Sequence, residues 1–234
     1  MSQLVARRIA DIWTRPLKRA LLPGGRNPFK IRYGPMAGLT MNLDLTSQTQ
    51  LAFGLFERET MHDLISLSAG IEVAVDIGAA EGEYALYFAK KTSATKIHVV
   101  EPDAALWVAL EANLKLNDIG VDPRLIRARK YVGPTKTSEA DTLDNIVGGV
   151  RKPCLVKIDI DGGEVDALAG ARQLIDAPDT RWLIETHSSR LERDVASILL
   201  GAKYKVKIIE NAWWRFILPE RRLTETNRWI VARR

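Results

Sequence analysis

The sequence predicts an α/β protein with an open, mostly parallel sheet of Rossmann-like type. Three observations predict it. From residue 71 onward, short β-branched runs alternate with helix-length stretches. The first run ends in a glycine-containing loop, AVDIGAAEG at 74–82. The second run ends in an acid, Glu101, 25 residues after Asp76. Strands joined by helical crossovers of this length become parallel neighbours in a sheet covered on both faces.

The elements follow in order. VAVDIG (73–78) is the first strand of this region and YALYFAKK (84–91) its helix; KIHVVEP (96–102) is the second strand, followed by an amphipathic stretch from Asp103 to Asn117. Arg124 to Val132 holds a third, weaker strand. LVKIDID (155–161) is the fourth, with a helix over Val165–Ile175, and RWLIETH (181–187) is the fifth, with a helix through LERDVASILL (191–200). KYKVKIIE (203–210) and NRWIVARR (227–234) close the sheet. No helical pattern separates these last two, so an antiparallel ending is expected and the sheet has seven strands.

Upstream of the sheet the pattern differs. KIRYG (30–34) and LTMNLDL (39–45) read as two strands joined by a turn, and QLAFGLFERETMHDLISL (50–67) reads as mostly helical despite Gly54. Residues 1–26 place Val5, Ile9, Ile12 and Trp13 at helical spacing among basic residues, until Pro16 breaks the pattern. The expected organisation is a basic amphipathic arm over 1–26, a strand and helix extension over 27–70, and a catalytic domain over 71–234.

With 234 residues, 46% of them hydrophobic, the chain is long enough to bury a full core. It contains no apolar run of the ~18–20 residues that cross a bilayer. Cys154 is the one cysteine, which excludes an intrachain disulfide and a cysteine zinc site and suits a reducing cytoplasm. The formal net charge is +5, yet residues 1–32 carry eight basic side chains against Asp11, a local +7 that leaves about −2 for the rest. A near-neutral body argues against a nucleic-acid partner. The basic arm suits an anionic membrane surface or a contact between copies of the chain, so the expected location is cytoplasmic with a peripheral membrane option.

The glycine loop fits either a dinucleotide or S-adenosylmethionine. A dinucleotide fingerprint needs a middle glycine for close approach of the pyrophosphate, and here Ala79 and Ala80 follow Gly78. Asp76 and Glu81 flank the loop, and carboxylates disfavour phosphate while favouring the ammonium and sulfonium of S-adenosylmethionine. The expected donor site comprises Asp76, Gly78, Ala79, Gly82, Glu101 and Pro102, with Glu101 accepting from the ribose hydroxyls.

At this point the sequence resembles the FkbM-type methyltransferase family. The resemblance is carried by DIGAAEG, by VVEPDAALWVALEANLKLN (99–117), by TLDN (142–145), by LVKIDIDGGEVDALAGA (155–171), by LIETH (183–187) and, upstream, by GLFERET (54–60). It covers about residues 50–187. This chain departs from the family pattern at Ala80, usually Asn, at Ala85, usually Ser or Thr, and at Asp161, usually Glu. The resemblance implies a Rossmann-like methyltransferase fold and O-methylation of a hydroxyl on a sugar, polyketide or related small molecule; the alternatives are an RNA or protein methyltransferase, raised by the basic N-terminus, and a donor-binding module without catalysis.

Ligands of open α/β sheets sit beyond the carboxyl ends of the strands. Asp159, Asp161 and Glu164 lie there after the fourth strand, and Glu185 and His187 after the fifth. Methyl transfer from a sulfonium requires alignment and removal of the acceptor's proton, so Asp159 or His187 is the expected base, with Asp161 and Glu185 beside them. No metal is expected; Asp159, Asp161 and Glu164 are the alternative ligand set. Lys157, on a buried strand, calls for a partner acid. Trp213 and Trp214 suit either stacking on a substrate or packing.

Overall fold

The computed structural model describes residues 24–149, 152–212 and 227–234. Its centre is a seven-stranded sheet. The strands are β3 (Val73–Ile77), β4 (Lys96–Val100), β5 (Leu125–Ala128), β8 (Cys154–Ile158), β9 (Thr180–Thr186), β10 (Lys205–Ile209) and β11 (Arg228–Arg233), in the spatial order β10-β11-β9-β8-β3-β4-β5. Strands β3, β4, β5, β8 and β9 run parallel, and β11 is antiparallel to both β9 and β10. The chain therefore has the predicted α/β fold, mostly parallel with an antiparallel end.

Two short strand pairs lie outside this sheet. β1 (Arg26–Lys30) pairs antiparallel with β2 (Thr40–Asp44), and β6 (Tyr131–Val132) pairs with β7 (Ala140–Asp141). The helices are α1 (Thr49–Ala52), α2 (Met61–Ser68), α3 (Glu83–Lys91), α4 (Ala104–Leu116), α5 (Leu143–Val147), α6 (Glu164–Ala169), α7 (Arg172–Asp176) and α8 (Ser189–Gly201). Among the described residues no helix is long and apolar enough to cross a membrane.

Successive residues of each strand face opposite sides, so the sheet carries two cores. One face packs Ala74, Ile97, Val99, Leu155, Leu183 and Trp229 with α3, α4 and the β1–β2 hairpin. The other packs Val75, Val156, Ile158, Trp182 and Ile184 with α6, α7 and α8. Residues 27–70 thus share their hydrophobic core with the sheet, through Ile31, Met41, Leu43, Leu64 and Leu67.

The structure departs from the sequence reading in three places. The first hairpin strand lies over Arg26–Lys30 rather than 30–34, because Gly34 and Gly38, both at positive φ, take Arg32–Gly38 out of extended geometry. The helical pattern over 50–67 is broken between α1 and α2. Gly54 sits at φ 64°, where a Cβ would collide with the Tyr33 carbonyl, and Glu57 sits at φ 46°. The helix expected over Val165–Ile175 is two short helices, α6 and α7, with Gly170 packed so tightly on Gly133 that a side chain there would clash. The amphipathic stretch after β4 is a single helix with Asp103 as its cap, accepting from the N–H groups of Ala105 and Leu106 at 2.7 and 2.9 Å. Of the arm expected over 1–26, residues 1–23 lie outside the described residues and Arg26 begins β1; the Trp213–Trp214 pair also lies outside them.

Candidate active site

The loop after β3 is positioned by backbone. The N–H groups of Gly78 and Ala79 donate to the Val100 carbonyl at the end of β4, at 3.0 and 3.1 Å. Gly78 has φ 71°, and a Cβ on it would overlap the Asp159 carbonyl. Only glycine lets this turn lie against the end of β8. Gly82, at φ 95°, starts α3 and packs beside Leu110 of α4. Asn113 ties three elements together: its Oδ1 accepts from the Asn42 N–H and its Nδ2 donates to the Glu81 carbonyl, both at 2.8 Å.

A cavity of about 530 Å³ opens beyond the carboxyl ends of β3, β4 and β8. Gly78, Ala80, Glu101, Pro102, Asp159 and Asp161 line it, with Leu106, Val132 and Ile160 as its apolar wall. The size falls in the ~300–1,000 Å³ range of small-molecule sites. Glu101 is buried, and its two oxygens each accept one backbone N–H, from Ala80 at 2.9 Å and from Asp103 at 2.8 Å. Each ionised oxygen offers about two acceptor positions, so one on each remains for a ligand.

The flanking acids are placed differently from Glu101. Asp76 is fully buried beneath the loop, where the β3–β8 register sets it beside Lys157, with Nζ 3.4 Å from its Oδ1. Glu81 pairs with Arg26 of the hairpin and accepts from Gln48. Neither lines the cavity. Its negative character comes instead from Glu101, Asp159 and Asp161, since the lining Lys130 is already paired with Asp141 at 3.3 Å.

Lys157 finds the acid partner its burial demands, and more than one. Its Nζ lies 3.7 Å from Asp159, donates to the Gly78 carbonyl at 3.1 Å and sits 4.8 Å above the Tyr84 ring. Burial alone would lower the ammonium's pKa, but Asp76, Asp159, Glu57 and Glu185 around it raise it instead. Burial pushes the Asp76 carboxyl up, with Lys157 opposing. Tyr84, whose hydroxyl donates to buried Glu57, is held well above its ordinary value by burial and by that carboxylate. Spacing gave no signal for this Glu57–Tyr84 pair, because the two meet only through tertiary packing.

The acids and histidine beyond β8 and β9 do converge. His187 is buried, its Nδ1 lies 2.6 Å from Glu164 Oε1, and its Nε2 faces Asp161 at 3.3 Å, Asp159 at 3.5 Å and Glu185 at 3.9 Å. Glu164, the first residue of α6, spends its side chain on the imidazole rather than on the helix end. Asp159, Glu164 and Glu185 are buried, whereas the Asp161 side chain is 78% exposed. Asp159 and Asp161 belong to both the cavity and the cluster, which makes the two one continuous site.

No protein-family model matches the chain, and comparison with curated proteins finds no match. Solved structures are similar in fold. The methyltransferase FkbM from Methylobacillus flagellatus superposes with a TM-score of 0.56 and 21% identity over 69% of this chain and 43% of that one. The ribosomal protein L11 methylase from Lactobacillus delbrueckii gives 0.51 and 11% over 76% and 78%, and M. jannaschii TYW2 in complex with AdoMet gives 0.50 and 14% over 90% and 85%. The chain thus spans less than half of the FkbM structure. Its fold is the Rossmann-like one that these structures share.

Proposed function

We propose that the chain is an S-adenosylmethionine-dependent O-methyltransferase acting on a hydroxyl of a sugar, polyketide or related small molecule. The observation that carries this reading is the continuity of one cavity: a loop-and-carboxylate half at β3 and β4 opens onto a carboxylate–imidazole half at β8 and β9. The residues present fit the donor. Glu101 keeps one acceptor position on each oxygen, matching the two vicinal hydroxyls of a ribose. Glu101, Asp159 and Asp161 give the lining an acidic character that suits a cationic ligand and opposes a pyrophosphate. The fold likeness to a structure described as an AdoMet complex supports the same donor.

When bound, the donor supplies an electrophilic methyl group on a sulfonium. The protein's own residues then have two tasks. Leu106, Val132 and Ile160 shield the cavity from water on its apolar side. Asp159 and Asp161, which line it, orient the acceptor hydroxyl, and one of the two carboxylates takes its proton. Glu164 fixes the ring of His187, and Lys157 holds Asp159 and the Gly78 carbonyl in register.

The test is transfer of a labelled methyl group to a panel of glycans, small hydroxylated metabolites, RNA and peptides. Transfer to a hydroxyl compound is expected, with Asp159→Asn lowering the single-turnover rate by about 10²–10⁴. Transfer confined to RNA or peptide would overturn the acceptor class. Undiminished turnover in Asp159→Asn would remove that residue from the mechanism.

A further inference from the structure

From the geometry around His187 we infer that Asp159, Glu185 and His187 form a binding site for one first-row divalent cation, with Glu164 as the group that orients the imidazole. The sequence reading expected no metal, and its alternative ligand set was Asp159, Asp161 and Glu164. The structure redistributes those roles. Glu164 is occupied with Nδ1 at 2.6 Å, and Glu185 and His187 join Asp159.

His187 Nδ1 lies 2.6 Å from Glu164 Oε1, which turns Nε2 to the opposite side of the ring. That side holds carboxylate oxygens of Asp161, Asp159 and Glu185 at 3.3, 3.5 and 3.9 Å. The nitrogen is buried and makes no hydrogen bond. A buried ring nitrogen without a hydrogen-bond partner, facing the buried carboxylates of Asp159 and Glu185, is satisfied by a cation held between them. A divalent ion is the species whose coordination these atoms match.

The distances agree. One atom from each of Asp159, Glu185 and His187 lies within 4.8 Å of the others. Neighbouring ligands on a tetrahedral or octahedral ion, bound at ~2.0–2.2 Å, are about 3.0–3.5 Å apart. The 3.5 and 3.9 Å separations from Nε2 need shifts of a few tenths of an ångström, and the two carboxylates, within 4.8 Å of each other, close by side-chain rotation of up to about 1.5 Å. A histidine whose second ring nitrogen is held by a carboxylate is the usual outer arrangement of a metal-binding imidazole. One nitrogen and two carboxylates suit Mn²⁺, Fe²⁺ or Zn²⁺ better than a softer ion.

The site deepens the proposed function and rests on it only for what the ion does. A carboxylate is a far weaker base than an alkoxide, so Asp159 or Asp161 alone faces a steeply uphill proton transfer. An ion at this position lowers the pKa of a hydroxyl that it binds. The O–H bond then breaks toward Asp161, whose carboxylate gains the proton and, being exposed, returns it to solvent. No oxidant or reductant enters the step.

The experiment uses the full chain freed of metal by a chelator and titrated with Mn²⁺, followed by the electron paramagnetic resonance signal of the free ion. One equivalent is expected to bind, and pulsed spectra are expected to show a single imidazole nitrogen coupled to it. His187→Gln should abolish that coupling, and Glu164→Gln should weaken binding by about 10–100-fold. Nitrogen-coupled binding by wild type stands even if a variant fails to fold. Absence of Mn²⁺ and Zn²⁺ uptake by wild type, with nitrogen NMR showing both ring nitrogens of His187 protonated at neutral pH, would overturn the site in favour of an imidazolium. Calorimetry with S-adenosylmethionine on the same sample separates the two proposals. Donor binding without ion uptake overturns the metal site alone, and ion uptake without donor binding overturns the methyltransferase reading alone.

Discussion

The two halves of the cavity are built from different materials. At β3 and β4, the loop is held by main-chain groups: the Gly78 and Ala79 N–H bonds to Val100, the Ala80 N–H to Glu101, and glycines that permit close approach. One carboxylate, Glu101, faces the cavity there. At β8 and β9, ionisable side chains dominate, with Asp159, Glu164, Glu185 and His187 all buried around a single imidazole. A site made of backbone is rigid and recognises shape, at small electrostatic cost. A site made of buried charge is expensive to assemble and repays that cost only by binding or chemistry. The first half suits a donor of constant structure, and the second suits the step at which charge and protons move.

The sharpest way to break this contrast is to put a side chain into the backbone half. Gly78→Ala forces a methyl group into the Asp159 carbonyl and an unfavourable φ of 71°, with no flexible neighbour to yield. The expected loss is about 3 kcal/mol or more of folding stability, measured by urea denaturation, because backbone must move on both β3 and β8. A variant as stable as wild type would show that the loop is not held as described.

The next effect concerns the single charged group of the donor half. Glu101→Ala removes acceptors from two backbone N–H groups and from the ligand. Donor affinity is expected to fall by roughly tenfold or more, from the loss of hydrogen bonds to a charged acceptor worth about 1.5–3 kcal/mol. Affinity unchanged within error would place the ribose elsewhere.

The smallest effect is a pH dependence. Burial, followed by the neighbouring Glu81 charge, raises the Glu83 carboxyl from its usual 4.5 to about 7. A carboxyl whose folded-state pKa is raised binds its proton more tightly folded than unfolded. Its stabilisation is therefore full below about 4.5 and is lost as pH rises through about 7. The side chain keeps some contact with solvent at the start of α3, so the slope is expected to total about 1–2 kcal/mol rather than the full value of the shift. Glu83→Gln should flatten the stability profile between pH 4.5 and 7.5; an unchanged slope would assign it to another group.

The contrast also explains what was legible in the sequence. The strand and helix alternation, the glycine loop and Glu101 after β4 are local patterns, set by periodicities of 2.0 and 3.6 residues and by turn chemistry. They predicted the sheet and its antiparallel end. What local pattern could not supply was partnership. Asp76 and Glu81 read as acids beside the donor, yet tertiary packing gives Asp76 to Lys157 and Glu81 to Arg26. Glu164 reads as a member of the alternative ligand set, and the fold turns it onto His187 across 23 residues of chain. Lys130 and Tyr131, which line the cavity, follow β5 in a stretch with no motif at all. Residue types at strand ends were readable because the fold class fixes where strand ends lie. Pairings were not, because they depend on side-chain directions that only the packed structure determines.

The central claim is that the chain binds S-adenosylmethionine through the Gly78–Gly82 loop and Glu101. Isothermal titration of wild-type protein with S-adenosylmethionine, and separately with a nicotinamide dinucleotide, tests it most directly. The expected result is one equivalent of S-adenosylmethionine bound, with no heat from the dinucleotide, as the acidic lining of Glu101, Asp159 and Asp161 requires. Tight binding of the dinucleotide with no response to S-adenosylmethionine would contradict the claim.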